Sequence, residues 1–159
     1  MKILVPLDFS RSAESIAKYA TDLSKRLNAD LTFYHVIDER NFFTYNTVYT
    51  FPEYYPEVKL DEESQQQMKE SAETEFKKMI ESFDIKEVNY NIEVDLGIPY
   101  SQICDYAKEN KYDLVIIGSH GKTNLKDIFL GSVVDYISHH IDIPILIYKI
   151  DISKRKWRN

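Results

Sequence analysis

A chain of 159 residues with 43% hydrophobic and 29% charged residues has the make-up of one globular domain, not of a disordered chain. Its formal net charge of -6 argues against nucleic acid as a bulk partner, because phosphate binding needs a positive face, which leaves room only for a local basic patch. Cys104 is the only cysteine, which excludes an intrachain disulfide and points to a reducing compartment. The opening MKILVPLDFS reads as a strand too short and too early broken for a signal peptide. No apolar run approaches the ~20 residues of a membrane helix, so a cytoplasmic protein is expected.

Residues 2–7 form a short apolar run of the kind buried on both faces of a parallel sheet. Asp8, Phe9 and Ser10 end it, with Ser10 the expected N-cap of the next element. Apolar residues at 13, 16, 17, 20, 23 and 27 then carry the spacing of an amphipathic helix. A second strand is expected at 31–37. The stretch 41–58 follows, with seven aromatics between Phe42 and Tyr55. Met68, Ala72, Phe76, Ile80 and Phe83 mark a helix over 62–83. Residues 87–96 alternate through Val88, Tyr90, Ile92 and Val94, the pattern of a strand with one wetter face near a sheet edge. Gly97 and Pro99 open a helix over 99–110, 112–118 is a fully apolar strand, a fourth helix follows Gly131, and 143–150 is the last strand.

Strand and helix alternate five times, less the final helix. This order implies a parallel sheet with right-handed crossovers and helices on both faces. One domain over 1–150 is expected, followed by a basic tail at 151–159. Ligands of such sheets sit outside the carboxyl ends of the strands, where the winding reverses. Asp8 and Gly118 both lie at those ends.

The segment GSHGKTNLKDIFLGS, 118–132, holds three of the chain's four glycines. It is not a P-loop, because position 116 is Ile where the first glycine belongs, and Lys122 does not open a helix. It is not G-x-G-x-x-G either, since position 120 is His. What remains is a glycine pair, Gly118 and Gly121, nine further residues, and Gly131-Ser132. Ser132 is expected to cap the following helix, with Asp135 three residues on, and the amides of Val133 and Val134 then make an anion site. These glycines either serve tight turns and a helix start, or hold a phosphate chain between loop and helix.

GSHGKTNLKDIFLGSV is similar to the G-2x-G-9x-G(S/T) nucleotide-binding signature of the universal stress protein family. ILVPLDFS, HVID, GIPYSQICDYAKENKYDLVIIGSHG and IPILIYK resemble further elements of that family, along the length of the chain. The resemblance implies an adenine nucleotide alpha hydrolase-like α/β fold, a five-stranded parallel sheet in the order 3-2-1-4-5. It implies ATP as ligand, with Mg²⁺ beside the phosphates. Pro6, Leu7 and Asp8 would line the adenosine end, with Asp8 near the ribose, and the main chain at Val36 would meet adenine. Gly118, Gly121, Gly131, Ser132 and Val133 would hold ribose and phosphates, with Ile117 and His120 also at the site. Leu7 departs from the Thr or Val of many relatives, so a hydroxyl contact is absent there. The family also implies a homodimer paired through Ile145, Leu146, Ile147 and Tyr148 of the last strand.

Efficient catalysis is not expected: there is no Walker B carboxylate and no arginine in the glycine loop, and His120 reads as a residue that orients the loop. An adenylating enzyme of the same fold group would carry S-G-G-x-D-S after the first strand, where this chain has Pro6-Leu7-Asp8-Phe9-Ser10. His139 and His140 suit the last turn of a helix and are not at metal-ligand spacing with any acid or cysteine. The aromatic stretch 41–58 either packs over the sheet edge or forms a lid over adenine or a partner surface. A purely protein-binding role through it is the alternative function.

Overall fold

The computed structural model describes residues 1–43, 61–85, 88–120 and 130–149. The strands are β1 (Lys2–Pro6), β2 (Asp30–Asp38), β3 (Tyr90–Gly97), β4 (Leu114–Gly118) and β5 (Ile145–Tyr148). The helices are α1 (Ala13–Leu27), α2 (Arg40–Phe43), α3 (Glu62–Glu81), α4 (Pro99–Glu109) and α5 (Ser132–His140). All strand pairs are parallel and the order is β3-β2-β1-β4-β5, the order that the family resemblance implies. The aromatic stretch beyond residue 43, Gly121 and the tail lie outside the described residues.

Alternation at period two sends successive strand side chains to opposite faces. Ile3, Val5, Leu31 and Phe33 pack with α1 and with Phe76 and Ile80 of α3. Leu4, Tyr34, Val36, Val115 and Ile117 pack with Ile103 of α4 and with Val134 and Ile137 of α5. The central strands are buried on both faces, which is why β1 and β4 read as unbroken apolar runs. β1 sits in the middle, joined to β2 by five residue pairs and to β4 by Ile3↔Leu114 and Leu4↔Val115. The chain moves one way from β1 to β2 and β3, then returns to the other side of β1 for β4 and β5. A crevice opens at that reversal.

Several expectations need correction. Ser10 is not the N-cap of α1; Ser12 occupies that place and makes no side-chain cap bond. Asp8 Oδ1 instead takes the Ser10 N–H at 3.1 Å, and the Ala13 N–H donates to the Ser10 C=O at 3.2 Å, so the chain enters the helix two residues later. β3 begins at Tyr90, after Val88 and Asn89, because its pairing with β2 starts at Leu31↔Tyr90; the expected start at 87 lies outside the described residues. β5 is confined to Ile145–Tyr148, although the Pro144 C=O still accepts from Val115 N–H at 3.0 Å. The short helix α2 is an element that the periodicity of the sequence does not announce.

Gly97 ends β3 at φ 154°, and a Cβ built there would meet Gln102 Cγ at 2.9 Å. Gly97→Ala is therefore expected to cost about 1–3 kcal/mol through backbone strain and the displaced Gln102. Urea unfolding followed by circular dichroism checks this; an unchanged midpoint would show that the β3–α4 corner accommodates a side chain.

Candidate functional site

The carboxyl ends of β1, β2 and β4 and the N-termini of α4 and α5 surround a cavity of about 490 Å³. Pro6, Leu7 and Asp8 line it from β1, Val36 from β2, and Ile117, Gly118 and His120 from β4 and its exit. Gly131, Ser132 and Val133 close it from the start of α5. The ten residues among those described that the family resemblance places at the nucleotide site thus line the same space. Volume and largely apolar walls suit a small organic ligand.

Why Val36 matters follows from the ladder. Leu7 N–H donates to Tyr34 C=O at 2.9 Å, so the even-numbered residues of β2 direct their peptide groups toward β1. Glu39 N–H donates to Gly97 C=O at 3.2 Å, so the odd-numbered ones face β3. Pairing with β1 ends at Pro6↔Tyr34. The next even residue is Val36, and its N–H and C=O point into the space that β1 leaves. In a continued ladder the Leu7 C=O would accept from Val36 N–H. Here it accepts from the His35 ring, whose Nδ1–H lies 2.8 Å away. A donor and an acceptor on one residue are thereby presented to the cavity, the pair that the edge of a heterocycle can match.

One flank of the cavity is aromatic. Phe9 and His35 line it, with ring centroids 4.7 Å apart, and both rest on Phe76 of α3. His35 is buried and Phe76 fully so. The sequence placed Phe76 in a helix but held no sign that it would support the site.

At the opposite end, Gly131 N–H donates to Ser119 C=O at 2.8 Å, and Ser119 N–H donates to Tyr148 C=O at 2.9 Å. These bonds fix the start of α5 beside the end of β4. Ser132 is not the helix cap: Gly131 holds the N-cap place at φ -68° and ψ 154°, and Ser132 is the first helical residue. Asp135 N–H donates to the Gly131 C=O at 2.9 Å, so no capping box forms. An extended glycine needs no side-chain cap and leaves the first amides of α5 open to an anion. His120 Nδ1 is 3.1 Å from Ser119 Oγ.

Asp38, Arg40, Asn41, Pro99 and Ile103 also line the cavity and were not singled out as site residues from the sequence. Asp38 and Arg40 form a bidentate pair, Nε–Oδ1 2.8 Å and Nη2–Oδ2 2.6 Å. The hydrogen bonds from Arg40 hold the Asp38 carboxyl below the usual carboxylate range. The guanidinium also sits over the Tyr100 ring, 5.6 Å from its centroid. The one available signal was their spacing, two and four residues after Val36. Among the described residues, no group of three or more His, Cys, Asp or Glu side chains is arranged to hold a metal, and no helix is long and apolar enough to cross a membrane.

Residues 1–149 match the universal stress protein family. The chain is 32% identical over 152 residues to the universal stress protein MJ0577 of Methanocaldococcus jannaschii, covering 93% of this chain and 94% of that one. The solved structure of MJ0577 superposes with a TM-score of 0.72 at 31% identity, covering 96% and 97% of the two chains. Two further solved structures share the fold. One is a universal stress protein in complex with cAMP, with a TM-score of 0.61 at 18% identity over 95% of this chain and 98% of that one. The other is a family protein of Arabidopsis thaliana with AMP bound, with a TM-score of 0.52 at 16% identity over 97% and 94% of the two chains. Extent of match, identity and fold agree: the chain belongs to the universal stress protein family.

Proposed function

We propose that this cavity binds an adenine nucleotide, ATP with Mg²⁺, and that the protein is a nucleotide-dependent regulatory module of stress response with slow hydrolysis at most. The observation that carries the reading is the pairing of two fittings in one cavity: the cavity-facing peptide of Val36 for the base, and the open N-terminus of α5 for phosphates. Between them Asp8, at the end of β1, stands where a ribose would lie. Adenine nucleotides bound to two proteins of the same fold, cAMP in one and AMP in the other, support the choice of ligand class. Mg²⁺ would take its oxygens mainly from phosphates and water, as it commonly does with nucleotides. The cavity's carboxylates are engaged locally, Asp8 with Ser10 and Asp38 with Arg40, which favours holding a nucleotide over activating water.

The test is the nucleotide content of the purified protein, released by denaturation and identified by chromatography and mass spectrometry, with calorimetric titration of the emptied protein. Retained ATP near one per chain is the expected result. A protein that carries no nucleotide and takes up none would leave protein binding through 41–58 as the better reading.

The same reading makes the protein a cytoplasmic homodimer joined along β5. That strand is one edge of the sheet, Ile147 on it is 38% exposed, and Tyr148 meets Tyr19 of α1 at 5.4 Å between ring centroids. An apolar edge of this kind is ordinarily paired. Sedimentation at micromolar concentration should give a dimer, and Ile147→Lys should shift it toward monomer.

A further inference from the structure

The end of the cavity beside Val36 carries a charged pair to which the nucleotide reading gives no task. Asp38 Oδ1 accepts from the Arg40 backbone N–H at 3.1 Å and from Nε at 2.8 Å, and Oδ2 accepts from Nη2 at 2.6 Å. A carboxylate offers about four lone-pair sites, so these three bonds leave one on Oδ2. β2 rises about 3.3 Å per residue, which puts the Asp38 Cα about 7 Å beyond that of Val36, on the same face. β1 separates β2 from β4, so Asp38 and Gly118 stand two strand spacings apart, about 10 Å across the sheet, and Asp38 lies three residues, about 10 Å, further along it. Asp38 therefore belongs to the end of the cavity away from the glycine loop. Stacking of Arg40 on Tyr100 ties the pair to the N-terminus of α4 and limits where the carboxylate can go.

Resting on the nucleotide reading, we propose that Asp38, positioned by Arg40, selects a 6-amino purine over a 6-oxo purine. Backbone alone does not choose. Val36 N–H, Val36 C=O and Asp38 N–H follow one another along the edge that β1 leaves open. A 6-amino ring offers an acceptor and then a donor, and matches Val36 N–H and C=O. A 6-oxo ring offers a donor and then an acceptor, and matches Val36 C=O and Asp38 N–H by sliding one step. In the first pose the amino group lies on the Asp38 side, and its second hydrogen finds the remaining lone pair of Oδ2. In the second the oxo group meets that carboxylate, acceptor against acceptor, with no proton to share. The side chain turns a permissive frame into a selective one.

Calorimetric titration of the full chain with ATP and with ITP, which differ only in the 6-substituent and the N1 proton that goes with it, tests this. Wild type should bind ATP about tenfold more tightly than ITP, a modest factor suited to a partly exposed carboxylate. Asp38→Ala should bring the two within about twofold, largely by improving ITP. Asp38→Asn, whose amide offers both a donor and an acceptor, should do the same and serves if the alanine variant does not fold. Arg40→Ala should fall between, and Arg40→Lys should recover part of the selectivity. Equal affinities in wild type, or a ratio that Asp38→Ala leaves unchanged, would overturn the assignment while the nucleotide site stands. Wild type that binds neither nucleotide would remove the nucleotide reading itself, and this assignment with it.

Discussion

Phe76→Ala is expected to destabilise the protein by about 3–5 kcal/mol, the cost of removing a fully buried phenylalanine from a packed core. Its position argues for the upper part of that range. Helix α3 runs for 20 residues, yet only Phe76 and Ile80 are fully buried in it. Phe76 also holds two ring contacts, 6.0 Å to Phe9 and 5.3 Å to His35 between centroids, which add to simple burial. Because Phe9 and His35 are cavity wall, the loss should reach ligand binding as well as folding. Phe76→Leu keeps most of the volume and should cost less than half as much. Urea unfolding of the two variants decides: a loss under about 1 kcal/mol for the alanine would mean that α3 is held elsewhere.

Stability should also fall steeply in alkali, and Tyr34 is the reason. Its ring is 1% exposed, stacked on Tyr106 at 4.3 Å, and its hydroxyl donates to Asp95 Oδ2 at 2.9 Å. Lys69 Nζ reaches the other oxygen of Asp95 at 3.0 Å. Burial first, and then the Asp95 charge, push the Tyr34 phenol far above the ordinary tyrosine value. Burial likewise raises the half-buried Tyr106. A group whose folded pKa is raised contributes stability that is whole below its unfolded pKa and is lost as pH climbs beyond it. The unfolded chain loses its tyrosine proton near pH 10, so from there upward Tyr34 alone should cost about 1.4 kcal/mol per pH unit. Tyr106, in contact with water, should add less. Between pH 9 and 11.5 the Tyr34 contribution amounts to about 2 kcal/mol, measured as the difference between wild type and Tyr34→Phe across that range. Parallel pH profiles for the two proteins would mean that Tyr34 ionises as readily folded as unfolded.

Both predictions concern residues whose element was legible in the sequence and whose partners were not. Period-two and period-3.6 patterns are local, so α1 could be read residue for residue, and strands and helices came out in the right order. Glycine spacing and the positions of Asp8 and Gly118 at strand ends were equally plain, because chain order alone dictates which residue follows a strand. Caps were less legible. Ser10 and Ser132 both have the right side chain for an N-cap, but Asp8 captures the backbone N–H of Ser10, and extended Gly131 takes the cap place before Ser132.

By itself, the sequence determined the alternating α/β architecture, the carboxyl-end location of the glycine segment and the family to which the chain belongs. The first two depend on periodicity and spacing along the chain, and the third on residues that resemble the family along its whole length. Tertiary structure decided that His35 would take the carbonyl of Leu7, that Phe76 would brace Phe9, that Tyr34 would face Asp95, and that Asp38 and Arg40 would stand against Tyr100. Each of these contacts depends on where strands end relative to one another and on which helix crosses which face. Register and crossover are properties of packing, so no local pattern encodes them.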